Sequence, residues 1–486
     1  MRAILALILT GAWLQAAQAV ELSAGGYHVV RIDAGRVKGL GDHTYGQLGT
    51  NPAGTPTTLA GLADVTAVAA GGFSTLALHA NGTVSLLGEY TLQHTTPHGT
   101  PAAAATPVPV PGLQGIDAIA AGHRHYLALD ADTGNLYAWG HNGSGQLGNG
   151  TLRDVPTPTL VMTEVATMAA GDGFSLAVKT DDSLWTWGRN THGQLGLGDT
   201  TDRLAPTQVA GISTADAVAA GGHHALVLQN DGSVMAMGQN TFGQLGLGNT
   251  TSTSSPTPVP GLSGVTLVTA GHHHSATLDS SNAIRVWGRN LEGQCGGGDN
   301  SPANHSTPQL LAGLPATPAD LTCGYHFTVI ELSDGSVAGT GSNADGQLDG
   351  MSVADQDDGQ QVLAPVLIPL APDRAPPTPN PMSFASPPAA FDATTIRMTA
   401  TMASDLSEPV EYYFDCTTPG GHDSGWQTER VFTDTGLVTG KLYSYEVRAR
   451  DSTMNETAPS PPASATAMDD TIAPSPNPMT FLVGPT

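Results

Sequence analysis

Apolar residues along this chain come in short runs separated by glycine-bearing turns. Leu226-Val227-Leu228 and Ser233 to Met237 flank Asp231-Gly232, and Asn81-Gly82 and Asp334-Gly335 break comparable runs elsewhere. Asp-Gly and Asn-Gly tolerate the positive φ that a two-residue hairpin turn demands. Each such pair therefore predicts two antiparallel strands.

The pattern repeats with a period of about 50 residues. A small residue and a glycine end a hydrophobic run seven times, at Ala24-Gly25, Ala70-Gly71, Ala121-Gly122, Ala170-Gly171, Ala220-Gly221, Ala270-Gly271 and Cys323-Gly324. A second landmark follows 16 to 18 residues later, clearest at Trp139-Gly140, Trp187-Gly188 and Trp287-Gly288. Weaker forms stand at Leu40-Gly41, Leu87-Gly88, Met237-Gly238 and Thr340-Gly341. Asparagine then recurs at Asn142, Asn190, Asn240, Asn290 and Asn343, before Gly-Gln-Leu-Gly and a proline-led apolar run such as Pro206 to Val209. Each unit supplies about four short strands, too few to bury both faces alone. Stacking the sheets around an axis lets each cover the next.

These landmarks resemble the RCC1 repeat family, and the match covers about residues 20–372. The resemblance implies an all-β fold, a closed seven-bladed propeller. Unit two departs from the pattern: after Leu87-Gly88 it lacks Gly-Gln-Leu-Gly, which predicts an irregular outer loop. By name the resemblance also implies guanine-nucleotide exchange on a small GTPase. Fold likeness alone does not carry function.

From Asp373 a proline-rich linker leads into a different unit. Ile396 to Ala400 and Tyr443 to Arg450 alternate apolar and polar residues, as half-buried sandwich strands do. The tyrosine-rich strand after Gly436-Leu437 and Gly440 resembles a fibronectin type III domain, placed at 373–470. Pro379-Asn380-Pro381-Met382-Ser383-Phe384 recurs as Pro476-Asn477-Pro478-Met479-Thr480-Phe481, 97 residues later. A second, truncated sandwich is therefore expected at 471–486.

The N-terminus reads as a secretory signal over residues 1–19. Arg2 is followed by an apolar stretch from Ile4 to Leu14 and by Ala17-Gln18-Ala19 as a cleavage site. No stretch is apolar enough for a membrane span. Against 42 Asp+Glu the chain has only 17 Lys+Arg, a net charge of −25, which leaves little with which to hold phosphates and argues against nucleic acid. A secreted or cell-surface setting and the acidic balance together argue against a cytosolic GTPase partner.

Cys295 stands where other units have Leu147, Leu195 and Leu245, and Cys323 where others have alanine. Two cysteines in adjacent units of an exported chain suggest a disulfide between blades six and seven, against two separate buried thiols. Cys416 is left over.

Nine of 17 histidines follow the first landmark: His28, His123, His125, His223, His224, His272, His273, His274 and His326. Rotation about the axis gathers these loops at one end. Converging imidazoles suit zinc, nickel or copper. Resemblance to RCC1-type repeats instead implies hydrogen-bonded structural roles for His28, His125, His224 and His274. The excess histidines, His123, His223, His272, His273 and His326, join Tyr27, Phe73 and Tyr325 as candidate contacts for a partner. Packing around the axis is the alternative for the aromatics.

Asp130 to Gly134 and Asp355 to Gly359 lack the full spacing of a calcium loop. Nucleophile-elbow, zinc-protease and phosphate-loop patterns are absent too. The expectation is a non-catalytic protein without cofactor or assigned metal, presenting loops to an extracellular protein or, second, a glycan; a sugar-active enzyme is the remaining alternative.

Overall fold

The computed structural model describes residues 21–49, 56–90, 102–298, 304–348, 361–368, 370, 377–404, 410–451 and 455–468. The expected leader, the acidic run Asp355 to Gly359 and the restarted Pro476 to Phe481 lie outside the described residues. The chain divides into two compact units, Met1–Ala371 and Pro372–Thr486.

The first unit contains seven four-stranded antiparallel sheets, each built from strands consecutive in sequence. In blade five these are Ala215–Ala220, His224–Gln229, Val234–Gly238 and Thr253–Pro258. Gly232 turns the central hairpin at φ 77°. Its carbonyl accepts the Val265 amide of the next blade at 3.1 Å. The seven blades span 22–58, 65–109, 118–162, 165–208, 215–258, 265–310 and 318–368.

Burial is greatest in the second strand of a blade and falls from there outward. The second strand of blade five is buried through its first five residues, while the outermost, Thr253–Pro258, is half-exposed or exposed throughout. Both faces of the inner strands feed cores shared between neighbours. Phe174, Leu176, Val178, Leu184 and Leu195 of blade four pack with Val218, Ala225, Val227 and Met237 of blade five. This sharing is how sheets too small for a core of their own become stable.

Blade one closes the ring against blade seven. Leu22, Ala24, Val29 and Leu40 share a core with Phe327, Val329 and Val337. The Ala24 amide donates to Thr322 Oγ1 at 3.3 Å. Arg31, only 4% exposed, donates to Glu331 Oε1 at 2.7 Å and to the carbonyls of Gly335 and Leu370 at 2.8 and 3.0 Å. Both blades keep four consecutive strands of their own, so face packing and this arginine seal the ring without an exchanged strand.

The recurring asparagine and Gly-Gln-Leu-Gly form one device. Asn240 Oδ1 accepts the Leu245 amide at 2.9 Å, and its Nδ2 donates to the Asn249 and Thr251 carbonyls, each at 3.0 Å. Gln244 Oε1 accepts the Phe242 amide at 2.9 Å. One side chain thus satisfies backbone groups on both limbs of a long loop.

The disulfide expected between Cys295 and Cys323 is not formed: both are free and buried in one core cluster. Cys295 Sγ is directed at the Arg289 carbonyl at 3.6 Å, and Cys323 Sγ lies 4.0 Å from Thr328 Oγ1. They fill leucine and alanine positions as small apolar groups, and burial raises both thiol pKa values. Cys416 is also free.

In the second unit, Phe384–Asp392, Thr395–Ala400 and Val431–Asp434 form one sheet, and Glu411–Cys416, Leu442–Arg450 and Ala463–Thr466 another. Ile396, Met398, Phe414, Tyr443, Tyr445 and Val447 contribute to a single core. Tyr443 Oη accepts the Val438 amide at 2.9 Å.

Candidate functional site

Around the propeller axis, the seven small-residue–glycine pairs line a cavity of about 80 Å³. A methyl group on Gly122 would stand 2.6 Å from the Gly171 carbonyl oxygen, so no larger residue fits without moving a neighbouring blade. Backbone bonds link the blades there: Gly26 N to Gly71 O at 3.0 Å, Gly72 N to Gly122 O at 3.2 Å, and His272 N to Tyr325 O at 3.2 Å.

The residue after each glycine faces the cavity mouth. In blade order these are Gly26, Gly72, His123, Asp172, Gly222, His272 and Tyr325. Four of the seven carry side chains, which makes the mouth asymmetric. The next position holds Tyr27, Phe73, Arg124, Gly173, His223, His273 and His326.

The third position begins the second strand and turns inward. His28, His125, His224 and His274 are fully buried there. Their Nε2 atoms meet Thr75, Ser175, Ser275 and Thr328 of the following blade at 2.8–3.0 Å. Those hydroxyls donate to the backbone carbonyls of Gln47, Gln146, Gln244 and Gln294 at 2.8–2.9 Å. With the hydroxyl hydrogen committed, each imidazole must donate from Nε2, which defines its neutral tautomer. Burial lowers the pKa of His28 to about 4 and of the other three to about 3. Where a phenylalanine stands in place of the histidine the hydroxyl is missing too: Phe174 is followed by Ala225, and Phe327 by Val29, whereas in blade two Ser74 is followed by Tyr126.

Outside this buried belt the rings touch one another. Tyr27 stacks on Phe73 with centroids 6.0 Å apart, and meets Tyr325 edge-on at 5.4 Å. His272 lies 4.9 Å from Tyr325 and 5.5 Å from His223. His123 Nδ1 is 3.3 Å from Asp172 Oδ1, whose second oxygen is 3.5 Å from Arg189 Nη1. Asp172, partly buried, is nonetheless held down at about 2 by its bond to His123 and by the charges around it. Burial lowers His223 to about 4 and lowers His272 as well. Ligand atoms of Asp172, His223 and His272 all lie within 4.8 Å of one another.

Residues 8–330 match the RCC1-like domain family. The chain belongs to that family. Its RCC1-like propeller is 34% identical over 159 residues to the RCC1 domain-containing protein RUG3, mitochondrial, of Arabidopsis thaliana, a match covering 29% of this chain and 35% of that protein. It is 32% identical over 118 residues to the ultraviolet-B receptor UVR8 of the same plant, covering 23% and 27%. The chain spans about a third or less of the length of these curated relatives. Among solved structures, yeast RCC1 (Prp20) bound to Kap60 shares 23% identity with a TM-score of 0.56, covering 62% of this chain and 77% of that one. Human WBSCR16 shares 24% with a TM-score of 0.57, covering 64% and 85%. These two likenesses establish the fold.

The RCC1-like propeller brings Tyr27, Phe73, His123, His223, His272, His273, Tyr325 and His326 to one end, each half-buried. They pack on one another while keeping one side open. Sequence reasoning overlooked Asp172, the charged member of this end. Its signal was positional: Gly171-Asp172 aligns with Gly122-His123 and Gly271-His272 across the repeats. His192 and Phe242, in the Gly-Gln-Leu-Gly loops, were missed as well; they flank the patch at 5.0 Å from His223 and 4.8 Å from His273. Asp130 closes a hairpin turn by accepting the Thr133 amide at 3.1 Å.

Proposed function

We propose that this chain is an exported, non-catalytic binding protein whose propeller end recognises a protein partner. RCC1-like propellers as a family mediate protein–protein interaction, and the structurally similar yeast RCC1 is itself solved with a bound protein. The observation that carries the reading is the end patch: eight aromatic and imidazole side chains, one side exposed, on a frame locked by buried inter-blade bonds. Rigid aromatic anchors on a preorganised surface lose little entropy when a partner docks. Export is supported by the leader pattern at residues 1–19, and the charge of −25 favours neutral or basic partners over nucleic acid. The second unit is read as a fibronectin type III-like spacer, with Tyr443 bonded back to Val438 at the corner expected of such sandwiches.

The test is capture from the extracellular and surface fractions of the producing cell on the immobilised chain. Wild type and an Asp231→Asn variant at the opposite end should retain the same protein, and a Phe73→Ala/His326→Ala variant should lose it. Equal retention by all three would refute the assignment of this end. Turnover of chromogenic glycosides or accelerated nucleotide release from a GTPase would refute the non-catalytic reading.

A further inference from the structure

We propose that Asp172, His223 and His272 form a binding site for one late first-row divalent cation of the zinc class at the mouth of the axial cavity. Three successive blades, four to six, supply one ligand each, and the ligand atoms already lie within 4.8 Å of one another. Zinc with bonds of about 2.0–2.2 Å holds tetrahedral ligands roughly 3.3 Å apart, so the trio must contract by roughly 1.5 Å at most, within reach of side-chain rotation. Two imidazoles and one carboxylate suit such an ion, whereas calcium and magnesium ask for more oxygens. Three protein ligands leave a fourth position for water.

The surroundings prepare these groups. His272 Nδ1 lies 2.9 Å from His273 Nε2, which orients the ring and leaves Nε2 for the ion. His123 holds one Asp172 oxygen at 3.3 Å. His223 Nδ1 is a buried nitrogen without a hydrogen-bond partner. Arg189, 3.5 Å from the other Asp172 oxygen, is the charge that opposes the cation. A bound ion would pin three blades at their inner edges, whether or not this end recognises a protein.

The experiment uses the full chain, untagged and stripped with EDTA, titrated with zinc chloride against a chromogenic chelator. Wild type should bind one equivalent, and cobalt in its place should give the visible absorption of a four-coordinate site. Asp172→Asn and His223→Gln should each weaken binding by about 10–100-fold. His326→Gln, in the same aromatic patch but outside the trio, should bind as wild type does. Urea midpoints measured in EDTA report whether each variant is folded. Failure of wild type to take up one equivalent would overturn the proposal whatever the variants do. Unchanged binding by folded Asp172→Asn and His223→Gln, or equal loss in His326→Gln, would also overturn it.

Discussion

Ser175 offers a direct test of the buried belt that ties blade to blade. Its hydroxyl accepts from His125 Nε2 and donates to the Gln146 carbonyl, each at 2.9 Å, and all three groups lie in the interior. Ser175→Ala strands the imidazole N–H. The Gln146 carbonyl keeps the Trp187 indole as a donor at 2.8 Å, so one group loses its partner, not two. A single stranded buried donor costs about 1–3 kcal/mol. The double change His125→Phe/Ser175→Ala reproduces the apolar pair Phe174 and Ala225 at the next interface, and removing both polar partners should leave stability within about 1 kcal/mol of wild type. Urea denaturation followed by tryptophan fluorescence reads the difference as a shift in midpoint at constant slope. The reasoning fails if Ser175→Ala costs less than about 0.5 kcal/mol, or if the double variant costs the sum of the two singles.

The same belt makes stability depend on pH. His28, His125, His224 and His274 bind protons near 6.5 when unfolded but only near 3–4 when folded. Stability is then complete above about 6.5 and is lost as pH falls towards 4, at up to about 1.4 kcal/mol per pH unit for each histidine. Asp320, raised to about 6 by burial, works in the opposite sense over the lower part of that window, as do Asp216 and Asp345, but His223, His273 and His326 are lowered as well and the histidines outnumber these carboxylates. Urea midpoints at pH 7.5 and 5.5 check the sign, and a flat profile would contradict it. Gly122→Ala should cost about 1–3 kcal/mol or more, because its methyl meets the Gly171 carbonyl. Gly150→Ala, at positive φ but in open space, should cost about 1 kcal/mol from backbone strain alone; equal thermal shifts for the two would refute the crowding argument. Arg31→Met should cost about 3–5 kcal/mol by leaving Glu331 and two carbonyls without their donor. Hydrogen exchange should then quicken first at Leu22–Ala24, and unchanged protection there would show that the ring is sealed by packing alone.

Much of the architecture was legible before any coordinates, for a local reason. Hairpin turns at Asp231-Gly232 and the landmarks Trp187-Gly188 and Ala220-Gly221 act through backbone conformation and the two-residue alternation of strands, both properties of neighbouring residues. The seven-fold repetition then leaves few ways to cover the faces of such small sheets. The candidate end was legible as a set of loops for the same reason: Tyr27, Phe73 and the histidines stand at equivalent offsets from the glycine.

What the chain by itself could not decide depends on which residues meet about 50 positions apart. The offset from the glycine already separated the buried His125 from the presented His223, but only the assembled ring set Ser175 against the one and Asp172 beside the other. Cys295 and Cys323 looked like a pair because they sit in adjacent units, yet each sulfur packs into a shared core as a small apolar group. Closure by Arg31 across to Glu331 joins opposite ends of the propeller sequence. Burial and partnership are properties of the assembled ring, and the linear order of residues carries them only after the axis has placed each blade beside the next.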